Sequence, residues 1–166
     1  MSDFKIIGDF PVDQEIDATS TTQEAPLGLR VQARDMASTD YGVGEFIYLV
    51  GVASTVATDC VTYDAGGFTT ARSVANAVGP VAFAMSANVA AQYGWYQIAG
   101  RGVGTGNASD AADKLMYLHA TAGSVSDGVV AGDSILGAVS TSALNTPATG
   151  KIEITLTYPF VSNESN

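Results

Sequence analysis

A weak internal repeat is the feature of this sequence that most restricts its fold. Residues 46–52 (FIYLVGV) are followed about fifty residues later by a similar segment, WYQIAGR, at 95–101. Two further pairs of segments keep this spacing, namely 61–63 with 115–117 and 79–86 with 132–140. Each copy consists of short β-rich runs separated by turn residues, which predicts a duplicated β-module.

Alternating apolar and polar residues predict strands elsewhere in the chain. The clearest alternation covers residues 151–158 and predicts a strand that ends at Pro159. Its buried face is expected to carry Ile152, Ile154, Leu156 and Tyr158. About ten short strands, with turns every 8–12 residues, predict an all-β fold, either a small barrel or a sandwich.

The chain is expected to have three parts. Residues 1–26 are predicted to be an extended acidic arm, because the stretch 9–24 carries five acidic residues, no basic residue and little apolar pattern. Such an arm is expected to be loosely ordered in an isolated chain, to order on a neighbouring molecule, and to be dispensable for the fold. Residues 27–160 are predicted to form the β domain, and 161–166 a flexible C-terminal tail.

The charge composition restricts the partners. Seven basic and 17 acidic residues give a net charge of −10. Without a local Lys/Arg cluster, this charge repels nucleic acid and anionic membranes, so neither is an expected partner. Charged residues make up only 14% of the chain, against about 25% in typical globular proteins. A surface rich in small polar residues suits packing against other subunits, and also occurs in small hydroxyl-rich β-proteins.

Few residues offer catalytic chemistry. Cys60 is the only cysteine and His119 the only histidine, so a transition-metal site lacks ligands and a catalytic triad would have to be built on His119. Cys60 is predicted to be a buried, unreactive side chain, because its sequence neighbours offer no cation to lower the thiol pKa. His119 is predicted to be a half-exposed strand residue.

Two other patterns suggest sites but lack the required spacing. Turn carboxylates such as Asp110 and Asp133 do not have the spacing of a calcium loop, and they are expected to cap backbone turns. The glycine-rich run at 100–106 matches neither a dinucleotide loop nor a P-loop, and it is predicted to be a flexible β-loop or bulge. We therefore predict no catalytic, cofactor-binding or metal-binding residues and no enzyme activity.

Aromatic residues suggest a binding surface. Tyr93, Trp95 and Tyr96 could form a platform for sugar stacking, or could anchor the core or a subunit interface. We favour the second interpretation. The candidate interface residues are Phe10, Val12, Tyr41, Tyr93, Trp95 and Tyr96.

Two segments resemble a known family. YGVGEFIYLVGVAS at 41–54 and AFAMSANVAAQYGWYQI at 82–98 resemble the small accessory capsid proteins of tailed bacteriophages, the decoration or cement proteins. The resemblance extends over about residues 27–160. It implies a non-enzymatic β-rich protein that forms homo-oligomers, often trimers. It also implies that the chain is made in the host bacterial cytoplasm and binds the major capsid protein on the outer surface of the virion.

The resemblance leads to a specific functional hypothesis. The chain is expected to bridge neighbouring capsomers and to reinforce the shell against internal genome pressure. The alternative is a phage tail or fibre β-module that binds a receptor or carbohydrate through Tyr93, Trp95 and Tyr96. A third hypothesis, a hydrolase that uses the scattered acidic residues, has no motif in its support.

Overall fold

The structure, a computed structural model, describes residues 3–9 and 12–164. All regular secondary structure in these residues is β, and the all-β prediction is confirmed. The twelve strands of the described chain are β1 Phe4–Ile6, β2 Thr19–Ser20, β3 Arg30–Asp35, β4 Val43–Val50, β5 Cys60–Tyr63, β6 Thr70–Arg72, β7 Gly79–Ala84, β8 Tyr93–Thr105, β9 Leu115–Leu118, β10 Val125–Ser126, β11 Ser134–Ser140 and β12 Lys151–Val161. They form one open antiparallel sheet with the main order β1-β3-β4-β8-β7-β12-β11-β9-β10.

The strand pairing repeats along the chain in step with the sequence repeat. β5 pairs with both β6 and β7, and β9 pairs in the same way with both β10 and β11. The last strand of each set then pairs with the next long strand, β7 with β8 and β11 with β12. The segments β4–β7 and β8–β11 therefore occupy equivalent positions in the topology.

β8 is the central strand of the sheet. Its residues 93–99 pair along one edge with β4, where Trp95 lies opposite Tyr48. Along its other edge it pairs in turn with β2, then with β7, and finally with β12 over residues 99–105. A single strand thus joins the N-terminal arm to both copies of the repeat.

The glycine-rich run belongs mainly to this strand. β8 continues to Thr105, so residues 100–105 are paired strand and not a flexible loop. A bulge lies just before the run and not within it, because Glu45 of β4 pairs with Ala99 and Phe46 with Gln97, which leaves Ile98 as the extra residue; Gly100 follows with a φ of +94°. A Cβ atom at Gly100 would lie 2.7 Å from the carbonyl oxygen of Val43, so only glycine fits there.

The core divides into three apolar clusters, two of which lie on opposite faces of β4. Phe46 and Tyr48 pack with Trp95 in an aromatic cluster beneath the N-terminal arm. Ile47 and Leu49 point to the other face and belong to a second cluster. The third cluster lies mainly among β5, β7, β9, β11 and β12. Because β4 is buried on both faces, its sequence is a continuous apolar run instead of an alternation.

The end of β12 differs from the prediction. Ile152, Ile154 and Leu156 are buried as expected, but Tyr158 is 54% exposed and the strand continues through Pro159 to Val161. Leu136 pairs with Phe160 and Ala138 with Leu156, so that residues 157–159 lie opposite Gly137 alone. This bulge breaks the alternation and turns Tyr158 out of the core.

The N-terminal arm also differs from the prediction. Its described residues are not loosely ordered: β1 pairs with β3, and β2 pairs with β8. Phe4 and Ile16 are buried in the aromatic cluster, while the acidic residues between and around them face solvent. A few well-placed apolar residues are enough to fix the arm, although its overall composition is that of a disordered segment.

Candidate functional site

Two of the candidate interface residues belong to the interior. The Trp95 ring is fully buried, lies 4.9 Å from the Tyr48 ring, and donates from Nε1 to the carbonyl oxygen of Gln14 at 3.2 Å. Tyr96 is fully buried on the opposite face, where its hydroxyl accepts a 3.0 Å hydrogen bond from Asn88 Nδ2. Burial raises the pKa of Tyr96 to about 12. Neither ring is accessible to a partner.

A third candidate, Tyr41, holds a buried polar contact. Its hydroxyl donates to Glu153 Oε1 at 3.1 Å, and the other oxygen of Glu153 accepts from Arg101 Nη2 at 2.5 Å. Burial, together with the hydrogen bond to Glu153, raises the pKa of Tyr41 to about 12. This contact fixes the β3–β4 turn against β8 and β12 and leaves little of Tyr41 exposed.

Two of the remaining candidates, Tyr93 and Val12, lie along the edge of the aromatic cluster. Tyr93 is half-buried and stacks on Tyr48 with ring centroids 6.3 Å apart. Val12 is half-buried against the same cluster, and Phe10 lies outside the described residues. The structure therefore does not bring Tyr93, Trp95 and Tyr96 together as an exposed aromatic platform.

The two most exposed valines of the described chain, Val129 and Val78, lie on two equivalent loops that the sequence analysis did not identify. The β6–β7 loop carries Val74 and Val78, and the β10–β11 loop carries Val129 and Val130. Val129 is 81% exposed and Val78 is 60% exposed. We call these four side chains the valine surface. β-Branched residues are unfavourable in turns, so valines within segments rich in Gly, Ala, Asn and Asp were the available sequence signal.

A buried carboxylate holds the two loops together. The Asn76 backbone N–H donates to Asp133 Oδ1 at 2.5 Å, and the Asp133 side chain is almost fully buried. The other charged side chain in these loops, Asp127, accepts from the backbone N–H of Ala111 at 3.0 Å. The valine surface thus lies on two loops that Asp133 joins, and both charged side chains of these loops accept backbone hydrogen bonds.

The carboxylates considered as possible sites have structural roles. Buried Asp110 accepts hydrogen bonds from the backbone N–H groups of Asn107 and Asp127 and from the hydroxyl of Ser126. This confirms that turn aspartates cap the backbone. His119, half-buried just after β9, accepts at Nδ1 from the backbone N–H of its neighbour Thr121 at 3.0 Å. Within residues 3–9 and 12–164, no group of three or more His, Cys, Asp or Glu side chains is placed to hold a metal ion.

Cys60 is fully buried, as predicted, and desolvation raises the pKa of its thiol to about 12. We expect this thiol to resist iodoacetamide and aromatic disulfide reagents at pH 8 in the native protein, and to react in urea, where its pKa returns to about 8.5. The pKa of the Cys60 thiol is higher in the folded state than in the unfolded state. Burial of the neutral thiol therefore stabilises the fold fully below the unfolded-state pKa, and this stabilisation is lost as the pH rises towards 12. Equal labelling rates with and without urea would contradict this placement.

Comparisons with known proteins identify no relatives. No family model, curated protein or solved structure matches this chain. In the part of the chain that the structure describes, no helix has the length and apolar character needed to cross a membrane.

Proposed function

We propose that this chain is a decoration protein that binds the outer surface of a phage head and bridges neighbouring capsomers. In this proposal it binds the major capsid protein and forms a homo-oligomer, with a trimer as the expected state. The observation that supports the proposal most directly is the valine surface. Exposed apolar side chains on loops whose backbones are hydrogen-bonded to one another are typical of a protein interface.

The free energy available from burying these valines is large enough to contribute to binding a partner. Burying one exposed valine contributes about 1.5 kcal/mol or more. A micromolar complex requires about 8 kcal/mol in total, so a few valines buried together supply a substantial part of that affinity. The side chains also sit on loops whose backbone is already fixed by Asp133, so little additional conformational entropy is lost on binding.

The structure changes one part of the hypothesis drawn from the sequence. The arm was expected to order on a neighbouring molecule, but Gln14 and Ile16 of the arm make their contacts within their own chain. We therefore assign the capsid contact to the valine surface and not to the arm. The tail or fibre alternative relied on Tyr93, Trp95 and Tyr96, and the burial of Trp95 and Tyr96 removes the support that it took from those rings.

Co-sedimentation with matched capsids that lack this protein tests the proposal. We expect the wild-type chain to bind saturably at a fixed ratio to the major capsid protein. Val129→Asp should weaken binding at least about tenfold, because an unpaired charge would be buried at the interface. The control is Val56→Asp, at a valine that is 48% exposed against 81% for Val129 and that lies in the loop beside the opposite end of β7.

The two possible failures have different meanings. Lack of wild-type binding to intact shells would overturn the decoration role and would lead next to glycan screening. Wild-type binding that is unchanged by Val129→Asp would keep the role but overturn the assignment of the valine surface. Light scattering of the free protein measures whether oligomers form before capsid binding.

A further inference from the structure

A narrow slot of about 170 Å³ opens on the surface of the sheet beside the β12 bulge. Ile98 forms its floor and is almost fully buried, while Val81 also lines the slot but packs its side chain into the core cluster on the other face of β7. Aromatic and proline side chains form its walls, and one basic side chain lies at its rim. The wall and rim residues are Tyr63, Pro80, Tyr158, Pro159, Phe160 and Arg30. The slot is several times larger than the roughly 30 Å³ occupied by a water molecule, so it has room for one large apolar side chain.

The apolar surface continues beyond the slot along one row of the sheet. Phe160 pairs directly with Pro80 of β7 on one side and with Leu136 of β11 on the other. Directly paired residues point to the same face of a sheet, so these three side chains lie side by side. Phe160 and Leu136 are both exposed. A chain whose end enters the slot therefore has an apolar surface on which to continue.

The basic group at the rim is only weakly paired. Arg30 is 52% exposed and lies over the Tyr158 ring, with 5.9 Å between its Cζ and the ring centroid. Among the described residues, Arg30 forms an ion pair with Glu45, with 4.0 Å between Arg30 Nη1 and Glu45 Oε1. The other oxygen of Glu45 accepts the Tyr158 hydroxyl at 2.7 Å, so Glu45 is held mainly by Tyr158. The guanidinium keeps its planar set of donors available for a second carboxylate.

We propose that this slot binds the C-terminal residue of a partner protein chain. The apolar side chain of that residue would enter the slot above Ile98, and its free carboxylate would pair with Arg30. A chain terminus is the simplest group that places a carboxylate beside an apolar side chain, which is the combination that this slot complements. On a chain of net charge −10, Arg30 supplies the local positive charge that an anionic terminus requires. This inference does not depend on the decoration role.

NMR titration of the full chain with short peptide probes tests the proposal without capsids. The probes are N-acetyl-Gly-Gly-Leu with a free carboxylate, the same peptide as its C-terminal amide, and N-acetyl-Gly-Gly-Gly with a free carboxylate. We expect saturable shifts of the Ile98 methyl signals with the first probe. The amide should bind about tenfold more weakly or worse, because a charge-assisted hydrogen bond is lost. The all-glycine probe should leave these signals unchanged.

A matched pair of variants isolates the role of the rim. Arg30→Gln should abolish the preference for the free carboxylate over the amide. Arg34→Gln, at an exposed position on the same face of β3, should leave it intact. Equal binding of acid and amide by the wild-type chain, or shifts confined to residues outside the slot, would overturn the proposal. So would the same methyl shifts with a methyl glycoside or with an amide-capped peptide that carries an internal Asp-Leu pair.

Discussion

Deletion of residues 1–25 will remove most of the stability of this protein. The arm covers the aromatic cluster, and without it the buried faces of Tyr48 and Trp95 would be exposed to water. Fully burying an isoleucine or phenylalanine contributes about 1.5–3 kcal/mol, and the arm buries both Ile16 and Phe4. The total free energy of unfolding of a typical domain is only about 5–15 kcal/mol, so this loss is a large fraction of it.

Polar contacts add to this effect. The Gln14 side-chain amide donates to the carbonyl oxygen of Tyr93 at 2.9 Å and accepts the Tyr48 hydroxyl at 2.6 Å. The Trp95 indole donates to the Gln14 backbone. Deletion would leave these donors and acceptors without partners, and each unsatisfied group costs about 1–3 kcal/mol when it remains buried.

Urea unfolding followed by Trp95 fluorescence measures the effect, since Trp95 is the only tryptophan. We expect the deletion to shift emission to the red and to lower the midpoint strongly or to abolish the cooperative transition. In the full chain, Ile16→Ala should reduce the free energy of unfolding by about 2–5 kcal/mol. The exposed neighbour provides the control, and Asp17→Ala should change it by less than about 0.5 kcal/mol. A truncated chain that keeps the wild-type midpoint would show that the arm is dispensable for the fold.

Gly137→Ala will be the most damaging of the simple glycine substitutions in the β11–β12 hairpin. Gly137 has a φ of +81°, and an added Cβ would lie 2.4 Å from the carbonyl oxygen of Thr157. The methyl group would meet backbone and not a flexible side chain, so the β12 bulge would have to move. We expect a loss of about 3 kcal/mol or more, from backbone strain together with the displaced strand.

Gly150→Ala is the matched control for this prediction. Gly150 also has a positive φ, +73°, but an added Cβ there would meet nothing within 4 Å. Only the conformational term then remains, about 1–2 kcal/mol. Thermal or urea unfolding of both variants compares the two effects. Equal losses in the free energy of unfolding for the two variants would mean that the backbone at Thr157 moves away from the added methyl group at little cost.

Local sequence patterns predicted the parts of the fold that depend on local chemistry. The buried face of Ile152, Ile154 and Leu156 follows from their alternation, and the repeat in the sequence corresponds to a repeat in the strand pairing. The outward turn of Tyr158 was not predictable in this way. It depends on Gly137, a residue on the neighbouring strand, and alternation within β12 contains no information about that neighbour.

The arm and the candidate surfaces were missed for the same physical reason. Gln14 is an ordinary polar residue until it meets Tyr93, 79 residues away in sequence. Likewise, the valine surface exists because Asn76 and Asp133 join two distant loops. The aromatic residues predicted as interface candidates are mostly buried, since large rings contribute most to stability when they fill the core.

Because β8 pairs with several different strands along its length, its position in the sequence affects the order in which the sheet can form during synthesis. The arm, β4 and β7 all leave the ribosome before residues 93–105, and none of them has its central pairing strand until that segment emerges. Such long-range pairings slow folding: β3 can pair with β4 and β5 with β7 beforehand, but β8, which emerges later, is the strand that lies between β4 and β7 in the sheet. We therefore expect the sheet to become continuous between β4 and β7 only after residues 93–105 have been synthesised.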